Sequence, residues 1–265
     1  MSTRPIAIVS GAGSGLGRAT AIALSALELP IVAIGRREDR LRDTAAQACG
    51  EVRVVAADVA DAGGRARVVS HLAPGEHVQF LIHCAGVHAI EPFEQISQDS
   101  WRAVLSINID ARLFLTQALL PHFVPGSRIL FVGSNSATRA RRSATAYCVS
   151  QAASFMLHEC LKVELAHRDI AVTSALPSPV ATPMLDAQLS ADPALYPDAD
   201  AYRKLQAEGK LIAPETVARF YRWLLTNVPA EAYAAQAWNV RDAAHHPAWL
   251  GDDDLYARSQ GTAKQ

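Results

Sequence analysis

Ile6-Ala7-Ile8-Val9-Ser10-Gly11-Ala12-Gly13-Ser14-Gly15-Leu16-Gly17 is the stretch that decides the fold. Four apolar residues make a short strand, the glycines make a tight turn, and Ala19, Ile22, Ala23 and Leu24 follow at helical spacing. Between a strand and a helix, a glycine loop lets backbone approach a phosphate closely, and the helix aims its N-terminal amides at the negative charge. That placement, rather than glycine content, makes Gly11, Gly13, Ser14, Gly15, Leu16 and Gly17 candidate nucleotide-binding residues.

Outward from this loop the pattern repeats. Apolar runs at Ile6-Val9, Ile31-Ile34, Val52-Ala56, Val78-Ile82, Arg128-Val132, Ile170-Leu176 and Ala237-Val240 predict strands, with helical segments between them. Strands apolar on both faces and joined by helix-length crossovers predict a doubly wound α/β fold, a parallel sheet of about seven strands with helices on both faces. No repeat or low-complexity linker divides residues 1–265, so a single domain is expected. The alternation lapses only between Pro177 and Gly209, before a new helix begins near Pro214, and an insertion over the active site at about residues 180–212 is expected there.

At the end of the second predicted strand stands Gly35-Arg36-Arg37, where a protein specific for NAD places a carboxylate against the ribose hydroxyls. Two guanidinium groups instead favour a 2′-phosphate through charge-assisted bonds, so Arg36 and Arg37 predict NADP(H).

Composition narrows the remaining classes. The formal net charge is -1, with 50% hydrophobic and 19% charged residues, which argues against nucleic acid as a partner. There is no basic leader ahead of the first strand, and apolar runs such as Leu113 to Leu120 fall well short of the roughly 20 residues of a membrane helix. A cytoplasmic protein without a membrane partner is therefore expected. Cys49, Cys84, Cys148 and Cys160 fit no metal spacing and read as reduced, buried thiols. His245-His246 lacks further ligands at useful spacing, so no metal is expected.

With these residues in place, the chain resembles the short-chain dehydrogenase/reductase family over nearly its whole length. Gly11, Gly15 and Gly17 match its T-G-x-x-x-G-x-G loop, and Asp58-Val59 resembles its adenine-contacting pair. His83-Cys84-Ala85-Gly86 is similar to its N-N-A-G segment with both asparagines replaced, placing Cys84, Ala85 and Gly86 at the cofactor. Asn108 matches the structural and proton-relay asparagine, Ser134 the catalytic serine and Tyr147 the catalytic tyrosine. Leu176 to Thr182 resembles the P-G-x-V-x-T segment, which implies nicotinamide contacts from Pro177, Val180 and Thr182; Ser178 replaces the glycine, so an altered turn is expected. The stretch from there to Ala218 looks most like the sepiapterin and benzil reductase branch, which implies α-dicarbonyl or pteridine ketone substrates. The resemblance further implies a Rossmann-type fold and a homodimer or homotetramer.

One departure bears on chemistry. The family's Y-x-x-x-K pattern puts lysine four residues after the tyrosine, and here Gln151 stands there. An amide can bond ribose hydroxyls but supplies no charge to acidify a phenol. Carbonyl reduction, which needs a neutral phenol as donor, should survive better than alcohol oxidation, which needs a phenolate. The expectation is a weakened NADPH-dependent carbonyl reductase with Tyr147 as proton donor, Ser134 orienting the carbonyl, and Asn108 and Gln151 in support. Two alternatives stay open: a catalytically silent nucleotide-binding regulator, which Gln151 favours, and a non-redox Ser/Tyr acid-base enzyme. Arg139, Arg141 and Arg142 lie between serine and tyrosine, and are candidates both for an anion site and for a cation reaching the lysine's place.

Overall fold

A computed structural model describes residues 4–257. Seven strands form one parallel sheet: β1 Arg4–Ser10, β2 Ile31–Gly35, β3 Val52–Ala56, β4 Glu76–His83, β5 Phe123–Val132, β6 Ala171–Leu176 and β7 Trp238–Asn239. Their order is β3-β2-β1-β4-β5-β6-β7, so chain direction across the sheet reverses between β1 and β4. Doubly wound sheets open a crevice at the carboxyl ends of such strands, and this one does so there. The Rossmann-type architecture expected from the sequence is present.

Strict alternation divides the strands between two apolar layers. Ile6 and Ile8 of β1 and Val32 and Ile34 of β2 pack on one face, while Ala7, Val9, Ile31 and Ala33 pack on the other. All eight are fully buried, so neither face of the sheet is left to water. One face is covered by α1 Gly15–Leu24, joined by α2 Glu38–Gln47 at its edge. The other takes α3 Ala62–Ser70, while α4 Gln98–Leu105 packs on α6 Thr145–Leu165, which with α5 Ala111–Leu119 completes that layer. After β6 come α7 Pro183–Leu189 and α8 Asp198–Ala207, and then α9 Pro214–Thr226, which returns to pack on α1.

Between α4 and α5 the helix widens into a π turn, Ser106–Asp110. Such turns re-aim side chains at functional sites, and this one holds Asn108 fully buried. The run Gln98–His122 is long and apolar enough to cross a membrane by composition, yet Ala111, Leu115 and Leu119 on it lie in the sheet's core. Backbone pairing of Val180 with Ile212 closes the excursion that carries α7 and α8, so both helices rise from one neck beside the carboxyl end of β6.

Candidate functional site

The glycine loop is built so that nothing but backbone can line it. Gly11 has φ of +71°, and a Cβ there would stand 2.8 Å from Ala85 backbone; a Cβ on Gly17 would meet the Gly11 carbonyl oxygen at 2.2 Å. Only hydrogen fits at these points, and β1, the loop and α1 close together around it. Ser14 heads α1 without a side-chain cap, and the first turn carries no acidic residue. The helix's first amides therefore stay available to an anion, the arrangement a dinucleotide phosphate needs. At the next strand end Arg36 and Arg37 line the same cleft, both exposed, and among the described residues neither guanidinium has a carboxylate partner. Asp58 and Val59 border it after β3, and the Asp58 carboxylate accepts the Ala60 amide at 3.0 Å. These residues fit a nicotinamide dinucleotide.

The cleft holds about 880 Å³ and runs from this loop to the far end of the crevice. Every residue the sequence proposes for the cofactor lines it: Gly11, Gly13, Ser14, Gly15, Leu16, Gly17, Arg36, Arg37, Asp58, Val59, Cys84, Ala85, Gly86, Tyr147, Gln151, Pro177, Val180 and Thr182. Ser134 lines it too. Asn108 does not; it sits behind the wall, its Nδ2 donating to the Val87 carbonyl at 3.0 Å and to Ser150 Oγ at 2.9 Å, while its Oδ1 accepts the Val87 amide. With the side-chain amide so occupied, Asn108 ties the π turn to α6 and to the segment after β4.

Helical spacing puts Tyr147, Gln151 and Ser154 on one face of α6, toward Ser134 at the end of β5. The Ser134 hydroxyl lies beside the Tyr147 phenol. Burial holds that phenol above the usual tyrosine range; the neighbouring Ser134 hydroxyl and the Arg112 charge oppose the rise. Gln151 is buried, and among the described residues its amide has no partner, so it is left to face whatever occupies the cleft. A hydroxyl, a phenol and a free amide around one end of a dinucleotide-sized crevice can hold a carbonyl oxygen and pass it a proton.

Two groups here escape the sequence reading. His88, after β4, packs its ring on Tyr147 at 4.2 Å, and both of its nitrogens are buried without a partner among the described residues. Burial lowers its pKa to about 4, so it is neutral near pH 7. Arg112, at the start of α5, lines the same cleft as Gln151. Its signal in the sequence is its place four residues after Asn108, which puts both on one side of the helix.

Several expectations need correction. Arg112, which the sequence reading does not name, acts on Tyr147 as a positive charge, and so does Arg141; Arg139 and Arg142 do not. Arg141 is committed elsewhere: it pairs with Asp198 at 2.7 Å and donates to Ser136 Oγ and Asn135 Oδ1, each at 2.9 Å. Arg139 is exposed, 3.8 Å from the same carboxylate, and Arg142 is exposed. Ser178 leaves its turn in place: it adopts the left-handed φ of +63° that the glycine would have supplied. The cysteines are free thiols, but Cys49 and Cys160 are exposed because one follows α2 on the surface and the other lies on the solvent face of α6. His245 faces Asp242 at 3.4 Å, and His246 bonds the Val240 carbonyl at 2.9 Å.

A family model described as short chain dehydrogenase matches residues 5–193. Among curated relatives, L-xylulose reductase of Cavia porcellus is 31% identical over 182 residues, covering 67% of this chain and 72% of that protein. D-threitol dehydrogenase of Mycolicibacterium smegmatis is 29% identical over 231 residues, 85% of this chain and 87% of that one. The crystal structure of a putative NAD(P) dependent gluconate 5-dehydrogenase from Beutenbergia cavernae, with bound NADP, superposes with a TM-score of 0.74 at 29% identity, covering 90% of this chain and 95% of that chain.

Proposed function

Since the chain belongs to the short chain dehydrogenase family, we propose that it is an NADPH-dependent carbonyl reductase. The observation that carries this reading is the Ser134–Tyr147 pair facing the same cleft as the glycine loop. When bound, the reduced nicotinamide supplies a hydride to the carbonyl carbon. The Ser134 hydroxyl holds the carbonyl oxygen, and Tyr147 gives that oxygen its phenolic proton, which the phenolate regains from solvent. Gln151 presents its unpartnered amide to ribose hydroxyls, and Asn108 holds the π turn against α6. Arg36 and Arg37, free of carboxylates, support the 2′-phosphate and hence NADPH over NADH.

The polar side chains on the cleft wall support a substrate class. Asn135 and Tyr202 line the cleft and offer hydrogen bonds to hydroxyl groups flanking a ketone. A polyhydroxylated ketone of the kind named by the relatives is therefore the first candidate, ahead of α-dicarbonyls and pteridine ketones. A substrate lid is assigned to α7 and α8. We place the enzyme in the cytoplasm as a homodimer or homotetramer, with self-association on the exposed stripe Val149, Met156 and Val163 of α6.

The test is NADPH and NADH consumption across ketoses, α-dicarbonyls and pteridine ketones, comparing the protein with Tyr147→Phe and with Arg36→Ala/Arg37→Ala. Turnover should fall by about 10²–10⁴-fold without the phenol, and the arginine variant should lose its preference for NADPH. Equal turnover by Tyr147→Phe, or none by the parent on any carbonyl despite NADPH binding, rejects the reading.

A further inference from the structure

Arg112 is 3% exposed. Its Nη1 donates to the Val132 carbonyl at 3.1 Å and to Ser154 Oγ at 2.6 Å, and its Nη2 lies 4.0 Å from where a Cβ on Gly86 would stand. The Nε is buried with no partner, and the guanidinium carbon is 5.9 Å from the Phe131 ring centroid. All of these neighbours are neutral, and among the described residues Arg112 has no carboxylate within ion-pair range. A guanidinium stripped of water with no counter-charge is costly to fold. Burial pulls its pKa down to about 10, which still leaves it charged at neutral pH.

The groups that face this cation become negative only by losing a proton. They are Tyr147 from α6, the Cys84 thiol just after β4, and Tyr221 from α9; His83 of β4 also faces it and is kept neutral. Tyr221 is fully buried and donates to the Ala175 carbonyl, and burial raises the Cys84 thiol. Tyr147 alone of the three has the Ser134 hydroxyl beside it, at the cleft. From the other side Tyr147 meets Tyr202 of α8, the Arg141 cation already paired with Asp198, and the neutral ring of His88. Ser154, which holds Arg112, lies seven residues after Tyr147 on the same face of α6 as Gln151, so the charge reaches this face from α5.

We propose that Arg112 is a positioning residue for the reaction: it supplies the fixed positive charge that stabilises negative charge on the Tyr147 oxygen, which Gln151 as a neutral amide cannot do. The inference rests on Tyr147 being the proton donor. In reduction, charge grows on that oxygen as the proton leaves for the carbonyl, and a cation already in place needs no rearrangement to meet it.

The decisive measurement is a tyrosine ring-carbon NMR titration of the protein, Arg112→Gln, Arg112→Lys and Arg112→Gln/Gln151→Lys, with Tyr147→Phe assigning the signal. NADPH affinity is followed by fluorescence and folding by circular dichroism. In Arg112→Gln the Tyr147 transition should move up by about one to two pH units, as loss of a nearby opposite charge requires. It should stay near the parent value in Arg112→Lys and return when lysine is placed at 151, and NADPH affinity should be little changed in Arg112→Gln and Arg112→Lys. Reductase turnover should fall by about tenfold to a hundredfold in Arg112→Gln and recover in the double variant. A folded Arg112→Gln whose Tyr147 transition does not move overturns the proposal. Should that variant fail to fold, Arg112→Lys carries the test, and a shift of a full unit there overturns it equally. Because the titration needs no turnover, an inactive protein with a shifting Tyr147 would reject the carbonyl-reductase reading alone, and an active one with a fixed Tyr147 would reject only the role of Arg112.

Discussion

Acidification should unfold this protein through His83, the buried residue that ends β4 where its family has asparagine. The ring is 1% exposed, its Nε2 is 2.9 Å from Thr116 Oγ1, and it packs 4.8 Å from the Phe131 ring. Burial, reinforced by the Arg112 charge, lowers its pKa to about 3. A histidine depressed in the folded state binds fewer protons there than in the unfolded chain, so its contribution is intact above the unfolded pKa of about 6.5 and falls away toward the folded value. Between about pH 7.5 and pH 5, a shift from about 6.5 to 3 removes about 2 kcal/mol of stability through this one group. The assay is urea unfolding at a series of pH values for the protein and for His83→Asn. At neutral pH the variant should start lower by about 1–3 kcal/mol, because the ring leaves a gap. Its stability should then fall less steeply, so that the two curves converge by about 2 kcal/mol at pH 5. His158, also lowered by burial, acts in the same direction but is common to both proteins and cancels. Parallel curves would mean that His83 takes up its proton in the folded state, and the assignment of a dry, neutral ring beside Arg112 would be wrong.

Three further outcomes test other parts of the molecule. Gly17→Ala places a methyl 2.2 Å from the Gly11 carbonyl oxygen, so NADPH binding followed by fluorescence should weaken by about a hundredfold, or roughly 2.7 kcal/mol. Asp198→Asn removes the charge that pairs with Arg141 at 2.7 Å and so loosens α8 over the cleft; steady-state kinetics should show a severalfold higher KM for the carbonyl with NADPH affinity unchanged. Val163 is 75% exposed and Met156 58% exposed on the outer face of α6; light scattering of Met156→Glu/Val163→Glu should show a smaller assembly than the parent, and identical masses would remove this stripe as the association surface.

What could be read from the residues, and what could not, follows from how far apart the interacting groups lie in the chain. Strands such as Ile31–Gly35 announce themselves because a parallel sheet buries both faces, so every position is apolar and no alternation is needed to find them. The apolar run predicts β5 only from Arg128; in the structure the strand begins at Phe123, with Gly126 at φ of +87° and Phe123 paired with Val78 across a register shift. The glycine loop, Ser134 and Tyr147 were legible because each depends on local spacing. Arg141 was not: its partner Asp198 lies on a helix that reaches it only through the fold. Arg112 shows the limit most clearly. A charged residue in a helix is ordinarily assigned to water, and the three arginines between serine and tyrosine are the more conspicuous source of a cation. Arg112 nevertheless lies one turn after Asn108 of the Ser106–Asp110 π turn, on the same inward side, and carries its charge beneath the cleft. The side of the helix that buries Asn108 therefore also carries the charge for which Gln151 has no substitute, and exchanging the two positions, neutral at 112 and cationic at 151, separates the fold's need for Arg112 from the chemistry's need for the charge.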